Sequence, residues 1–288
     1  MKLKTTLFGA VAALALTSSA ALAGSVSQPG ETSGVDLATP LPEGVYFVNT
    51  GSYGGRPLSA SFGGGTTYEG VNIPVIAWST PWTIFGGRIQ ALVAAPELDL
   101  GNHSQGFFDA GMYNPFLAAW IGWNLGNGFS FSYLAGVYIG IAGGDFGNAF
   151  NQNTFRQDLS FAYHNNGWNL VSNLRFGIVG DNQTTHLANP DYFNYEVSLT
   201  KSIGKWEVGM VTFGSTDVGN GPTPAYLKQS QFAMGGLVGY NFGPVITQLY
   251  LTTDVYEKNY GGHETRLWTR VIIPLWSPDA PKAVAAKY

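Results

Sequence analysis

Apolar and polar residues alternate along most of this chain with a period of two, the pattern of strands whose faces meet different media. Between Phe155 and Tyr163, Phe155, Leu159, Phe161 and Tyr163 share one face, and Arg156, Asp158 and Ser160 share the other. Tyr192 to Ile203 repeats this, with Phe193, Tyr195, Val197 and Leu199 opposite Asn194, Glu196, Ser198 and Thr200. Val245–Val255 alternates likewise, and Thr265–Ile273 sets Leu267, Val271 and Ile273 against Arg266, Trp268 and Arg270. Met112 to Trp123 is apolar on both faces. Helical periodicity is nearly absent. The pattern predicts twelve strands, near 45–53, 70–78, 83–94, 109–123, 128–140, 155–164, 168–179, 192–203, 205–216, 230–241, 245–256 and 264–274. Many approach the length of about nine to eleven residues that a tilted membrane strand needs.

The connections sharpen this reading. Five are tight: Ser79-Thr80-Pro81, Gly126-Asn127, Asn165-Asn166-Gly167, Gly204 and Phe242-Gly243-Pro244. Six are longer, near 54–69, 95–108, 141–154, 180–191, 217–229 and 257–263, and long and short alternate strictly. Twelve antiparallel strands with both ends in the periplasm need six outer loops and five inner turns, and outer-membrane barrels combine long outer loops with short periplasmic turns. The predicted fold class is therefore all-β: a transmembrane antiparallel β-barrel of about 12 strands. A soluble sandwich with aromatic plugs is the rival. No fixed repeat period supports a propeller or β-helix. Trp78, Trp82, Trp123, Trp168, Trp206 and Trp276 sit near tight turns or the end of the last strand, as a periplasmic aromatic girdle would, while Trp120 and Trp268 read as deeper.

The ends divide the chain further. Residues 1–23 read as a cleavable signal peptide: Lys2 and Lys4, an apolar core from Leu7 to Leu16, and a small-x-small site at Ala21-Leu22-Ala23. Residues 24–42 are Ser/Gly/Pro/Thr-rich and are expected to be a flexible N-terminal segment. The barrel is expected over 43–276 and a C-terminal tail over 277–288, with Trp276 or Tyr288 as the terminal aromatic. These boundaries imply a bacterial outer-membrane location after export.

Composition agrees. The 14 Lys+Arg and 18 Asp+Glu make 11% of 288 residues, less than half the share of about 25% in soluble domains. A chain half of whose strand side chains face lipid cannot carry more. Mean hydropathy is only +0.04, as expected when apolar and polar faces cancel. A formal charge of −4 offers no basic footprint for nucleic acid. The absence of Cys excludes thiolate metal sites, disulfides and thiol catalysis.

Alternation assigns Arg88, Gln90, Arg156, Asp158, Arg175, Glu196, Glu207, Asp254, Arg266 and Arg270, with Glu264, to the inward faces. They are candidate lumen-lining residues setting polarity and size selectivity; the alternative is an ion-pair network that plugs and stiffens the barrel. A barrel hydrolase would need a nucleophile, base and orienting group converging on the outer surface. His103 and His164 are poorly placed for that, and His186 and His263 lie in outer loops near Asp181 or Asp191. No enzyme, cofactor or metal is therefore assigned, and Glu97, Asp99 and His103 read as a solvated acidic loop.

From Pro42 to Trp276 the chain resembles the outer-membrane proteins of the MetA-pathway of phenol degradation. The likeness rests on Pro42-x-Gly44-x-Tyr46, Gly106-Phe107-Phe108-Asp109 followed by Pro115, and Leu159-Ser160-Phe161-Ala162-Tyr163 with Gly167-Trp168. Asn182-x-Thr184 before Tyr192 and the closing Pro274 add to it, whereas Ile141-Ala142-Gly143-Gly144-Asp145 stands where relatives often carry Pro-Thr-Gly. The resemblance implies an uptake channel for small hydrophobic or aromatic compounds. Its expected partners are outer-membrane lipids, a small-molecule solute and the barrel assembly machinery; a structural or adhesive barrel is the alternative.

Overall fold

Lipid satisfies no backbone polar group, so a strand that crosses a bilayer must be paired along both edges. A computed structural model, which describes residues 26–143 and 145–278, meets that condition by closing the sheet on itself. The strands in chain order are β1 (Gly44–Pro57), β2 (Thr66–Ile84), β3 (Gly87–Ala94), β4 (Glu97–Asn102), β5 (Phe107–Met112), β6 (Phe116–Gly126) and β7 (Phe129–Tyr138). They continue as β8 (Thr154–Asn165), β9 (Trp168–Val179), β10 (Asp191–Ile203), β11 (Trp206–Val218), β12 (Ser230–Asn241), β13 (Ile246–Lys258) and β14 (Thr265–Trp276). Twelve of them form an antiparallel ring, β1-β2-β3-β6 and then β7 to β14 in sequence. Between β1 and β14 the seam runs from Val45↔Trp276 to Gly55↔Thr265. The leader reading at residues 1–23 lies outside the described residues, as do 24–25, Gly144 and the tail from 279.

The ring is polar inside and apolar outside. Along β8 the buried positions are Thr154, Arg156, Asp158, Ser160 and Ala162, while Phe155, Leu159 and Phe161 are exposed. On β10, Asn194, Glu196, Ser198 and Thr200 are buried and Leu199 is exposed. Leu170, Met210, Leu249, Leu251 and Leu267 carry the exposed apolar surface around the wall. Such a surface is stable against hydrocarbon, not water.

At the short-turn end, glycine and asparagine supply the left-handed residues that two-residue hairpins require. Asn166 (φ 48°) and Gly167 (φ 77°) join β8 to β9 in this way. The expected turn at Ser79-Thr80-Pro81 is corrected: β2 continues through it, and the reversal falls at Phe85 (φ 49°) and Gly86 (φ 76°). Pro81 is tolerated because pairing with β3 is interrupted between Ser79 and Thr83. Thr80 Oγ1 there donates to the Ile89 carbonyl at 2.7 Å.

A second correction concerns residues 95–123. They were expected as a loop followed by one strand, but β4 and β5 form a hairpin that extends the upper half of β2 beyond the ring. Pro96 and Pro115 interrupt the run, and the Tyr113 amide bonds the Pro96 carbonyl at 2.8 Å, so β6 can return beside β3. The hairpin reverses at a 3₁₀ turn over His103–Gln105, capped by Asn102 Oδ1 accepting from the Gln105 amide and closed by Gly106 (φ 65°).

A third correction concerns the N-terminal segment. Residues 26–43 run inside the barrel instead of forming a flexible lead-in. Pro42 is held at the short-turn end, where Ser79 Oγ donates to the Leu41 carbonyl and the Leu41 amide donates to Gln90 Oε1. Ser27, at the other end of the segment, bonds Arg175 and Asn194 in the upper half of the barrel. Barrels of about eight strands are filled by their own side chains, and those of about 16–18 strands leave an aqueous channel. Twelve strands leave a space that this segment, the plug, occupies.

Candidate functional site

The plug has no regular secondary structure, so its backbone groups need partners on the wall. Glu196 on β10 supplies four bonds at once. Its carboxylate accepts from the Gly30 amide (3.1 Å), the Thr32 amide (2.9 Å), Thr32 Oγ1 (2.8 Å) and Ser33 Oγ (3.3 Å). Asn173 on β9 donates to the Thr32 and Val35 carbonyls, Ser132 on β7 to the Leu37 carbonyl, and Gln248 on β13 to the Gly34 carbonyl. His164 Nε2 lies 2.7 Å from Asp36 Oδ2, and the other Asp36 oxygen caps the Ala38 and Thr39 amides. The chain turns sharply at Gly30 (φ 94°), where an added Cβ would lie 2.7 Å from the Trp268 ring. Tyr250 Oη donates to the Gly30 carbonyl from a ring stacked on Trp268 at 5.2 Å.

Glu31 is the electrostatic centre of this contact. Its Oε1 sits 2.7 Å from Arg156 Nη1 and 3.2 Å from Arg175 Nη1. Arg156 also pairs with Asp158 at 2.6 Å, and Arg175 with Asp158 and Glu196, each at 3.4 Å. From β14, Arg270 donates to the Glu31 and Ser33 carbonyls at 2.7 and 2.8 Å. Above this cluster lies a second one. Arg266 bonds Glu69 and Glu264, and Arg56 pairs with Asp254 at 3.2 Å beneath the Tyr260 ring. The outer loops close over it, with the Ser59 amide on the Gly261 carbonyl and Arg56 Nη1 on the Gly262 carbonyl.

Nine of the ten sequence-assigned lumen residues take part in these interior contacts. Gln90, Arg156, Asp158, Arg175, Glu196, Asp254, Arg266 and Arg270 are buried. Glu207 is half-buried and accepts from Thr200 Oγ1 and Gln248 Nε2. Arg88 is also half-buried and donates to the Thr80 carbonyl near the short-turn rim. Sequence reasoning missed Glu31, Asp36, Arg56 and Glu69. Glu31 and Asp36 stand in a segment without periodicity, and Arg56 and Glu69 fall in what was read as loop 54–69. Trp78, Trp82, Trp168, Trp206 and Trp276 are exposed near the short-turn end, and half-buried Trp123 donates to the Phe85 carbonyl. Trp120 and Trp268 are buried inside. Glu97 and Asp99 are exposed on β4, and no three metal-type ligands cluster among the described residues. His186 hydrogen-bonds through its backbone to the Asn182 carbonyl, and His263 contacts the Asp254 carbonyl through Nδ1, so neither forms a His–carboxylate pair in these contacts.

The architecture is that of outer-membrane β-barrels. An outer membrane channel from Pseudomonas putida F1 superposes with a TM-score of 0.67 at 12% identity, over 86% of this chain and 99% of that one. The translocator domain of the autotransporter NalP from Neisseria meningitidis gives 0.52 at 10% identity, over 83% and 90%. The β domain of the Bordetella autotransporter BrkA gives 0.53 at 10% identity, over 81% and 99%. At these identities the likeness is one of fold. No curated protein matches the chain in sequence. Residues 39–271, nearly the whole barrel, match the family described as "Putative MetA-pathway of phenol degradation". The chain belongs to that family, as a twelve-stranded transmembrane barrel of the outer membrane.

Proposed function

We propose that this barrel takes up small hydrophobic or aromatic compounds across the outer membrane, and that the plug is its gate. The export leader at 1–23 is removed and the barrel assembly machinery inserts the remainder. The observation that carries this reading is how the interior is filled. Residues 26–43 are held by side-chain hydrogen bonds and ion pairs from at least seven strands, with no strand pairing to the wall. Separate side-chain contacts of that kind can be exchanged for water one at a time as a segment withdraws, and the segment's share of the buried apolar clusters is small, Val26 and Ala38. The segment is also attached at the periplasmic end through Glu43 and β1, so withdrawal in that direction needs no break in the barrel. Family membership and the channel fold agree with transport.

A static barrel stiffened by its charges is the second reading, favoured by the close pairing of Arg156, Asp158 and Arg175. A cysteine lock separates the two. The natural chain has no Cys, so a Thr32→Cys/Asn173→Cys pair, at positions whose side chains lie 3.2 Å apart, can be oxidised selectively. Uptake of phenol into proteoliposomes is expected under reducing conditions and is expected to stop on oxidation. Equal uptake in both states, or none in either, contradicts a gating plug.

A further inference from the structure

The plug presents a carboxylate to a wall that has an excess of arginine. Around Glu31 the wall contributes three guanidiniums, from Arg156, Arg175 and Arg270, and two carboxylates, from Asp158 and Glu196. Arg270 is the telling member. It is 3% exposed, yet its contacts are Thr50 Oγ1, Gln248 Oε1, Tyr250 Oη and the Glu31 and Ser33 carbonyls, with no carboxylate in salt-bridge range among the described residues. A buried cation without a counter-ion is costly, and here plug carbonyl oxygens stand in for one. When the plug withdraws, Arg156 and Arg175 lose Glu31 and Arg270 loses two carbonyls. The wall around the vacated Glu31 position then has one positive charge in excess, on planar forks suited to carboxylate.

Aromatic rings stand beside these forks. Arg156 lies 4.8 Å from the centroid of Phe116, which stacks on Tyr138 at 4.4 Å. Arg270 lies 5.3 Å from the Tyr250 centroid, whose ring stacks on Trp268. A ligand with an anionic head and a flat apolar body would satisfy both features. We propose that Glu31 is a tethered stand-in for solute: Arg156, Arg175 and Arg270 form a carboxylate site, and small aromatic carboxylates compete with Glu31 for it and so favour the open barrel. This rests on the transport reading above and narrows its solute class.

The test uses planar-bilayer recordings with benzoate and benzyl alcohol, which share a ring and differ in charge. In the full-length chain, benzoate is expected to raise the open fraction and benzyl alcohol to leave it unchanged. Full-length Glu31→Gln, which weakens the tether without removing the plug, is expected to be open about tenfold more often without any solute. In a chain lacking residues 26–41, Arg270→Gln is expected to lower the chloride-to-potassium permeability ratio by about threefold. An open channel whose ion preference Arg270→Gln leaves unchanged, or that responds alike to benzoate and benzyl alcohol, overturns the carboxylate site and leaves transport standing. Silence of both the Glu31→Gln and the plug-deleted proteins, with folded barrels verified by gel mobility before heating, overturns transport itself.

Discussion

Arg175 is 1% exposed in the barrel wall and reaches three carboxylates, those of Glu31, Asp158 and Glu196. Its value lies in what its removal would leave behind. Arg175→Ala would leave Glu196 with no arginine in salt-bridge range and Asp158 with only Arg156. Breaking a buried ion pair by deleting one partner typically costs about 3–5 kcal/mol. We expect a loss of that size in urea unfolding followed by tryptophan fluorescence in detergent; a change below about 1 kcal/mol would show that water reaches the cluster and screens it. The side of the wall on which Arg175 lies was legible from alternation alone, because a one-residue slip would put the arginine into lipid. Asp158 and Glu196 were legible as inward-facing in the same way, but Glu31 was not: it lies about half a chain length away, and pairing across a lumen leaves no local periodic trace.

At the scale of elements, strands facing lipid on one side and polar contacts on the other were readable, and β8, β9 and β10 fall within one residue of expectation. The failures share a cause. Near Ser79-Thr80-Pro81 a turn-like sequence lies at a bulge, where local signals and sheet register diverge. The β4–β5 hairpin hid because Phe107–Met112 merges by composition into the apolar run of β6. That hairpin pairs with the ring only through β4 on β2, while β3 and β6 pair directly below it from Arg88↔Gly122 to Ala94↔Phe116. Replacing residues 97–112 with Asn-Gly, a two-residue turn former, should therefore leave a closed barrel. The check is faster gel migration before heating than after; loss of that shift would mean the hairpin is needed to bring β3 and β6 together.

At the scale of the whole molecule, the shortage of charge has a structural sense. Few charges can be carried by a wall that faces lipid, and many of those present are gathered inside, in one cluster around Glu31 and another around Arg266. The lower cluster binds the chain's own N-terminal segment, whose Ser, Gly and Thr residues read as an unstructured leader-in only because their partners are spread over the wall. On the gating proposal, a plug tethered below and bonded through side chains keeps the resting barrel closed. Single-channel conductance of the full-length chain and of one lacking residues 26–41, both with folding verified before recording, tests this most directly. The structure predicts a full-length protein closed for most of the record and a deleted one conducting steadily; equal conductance of the two would contradict it.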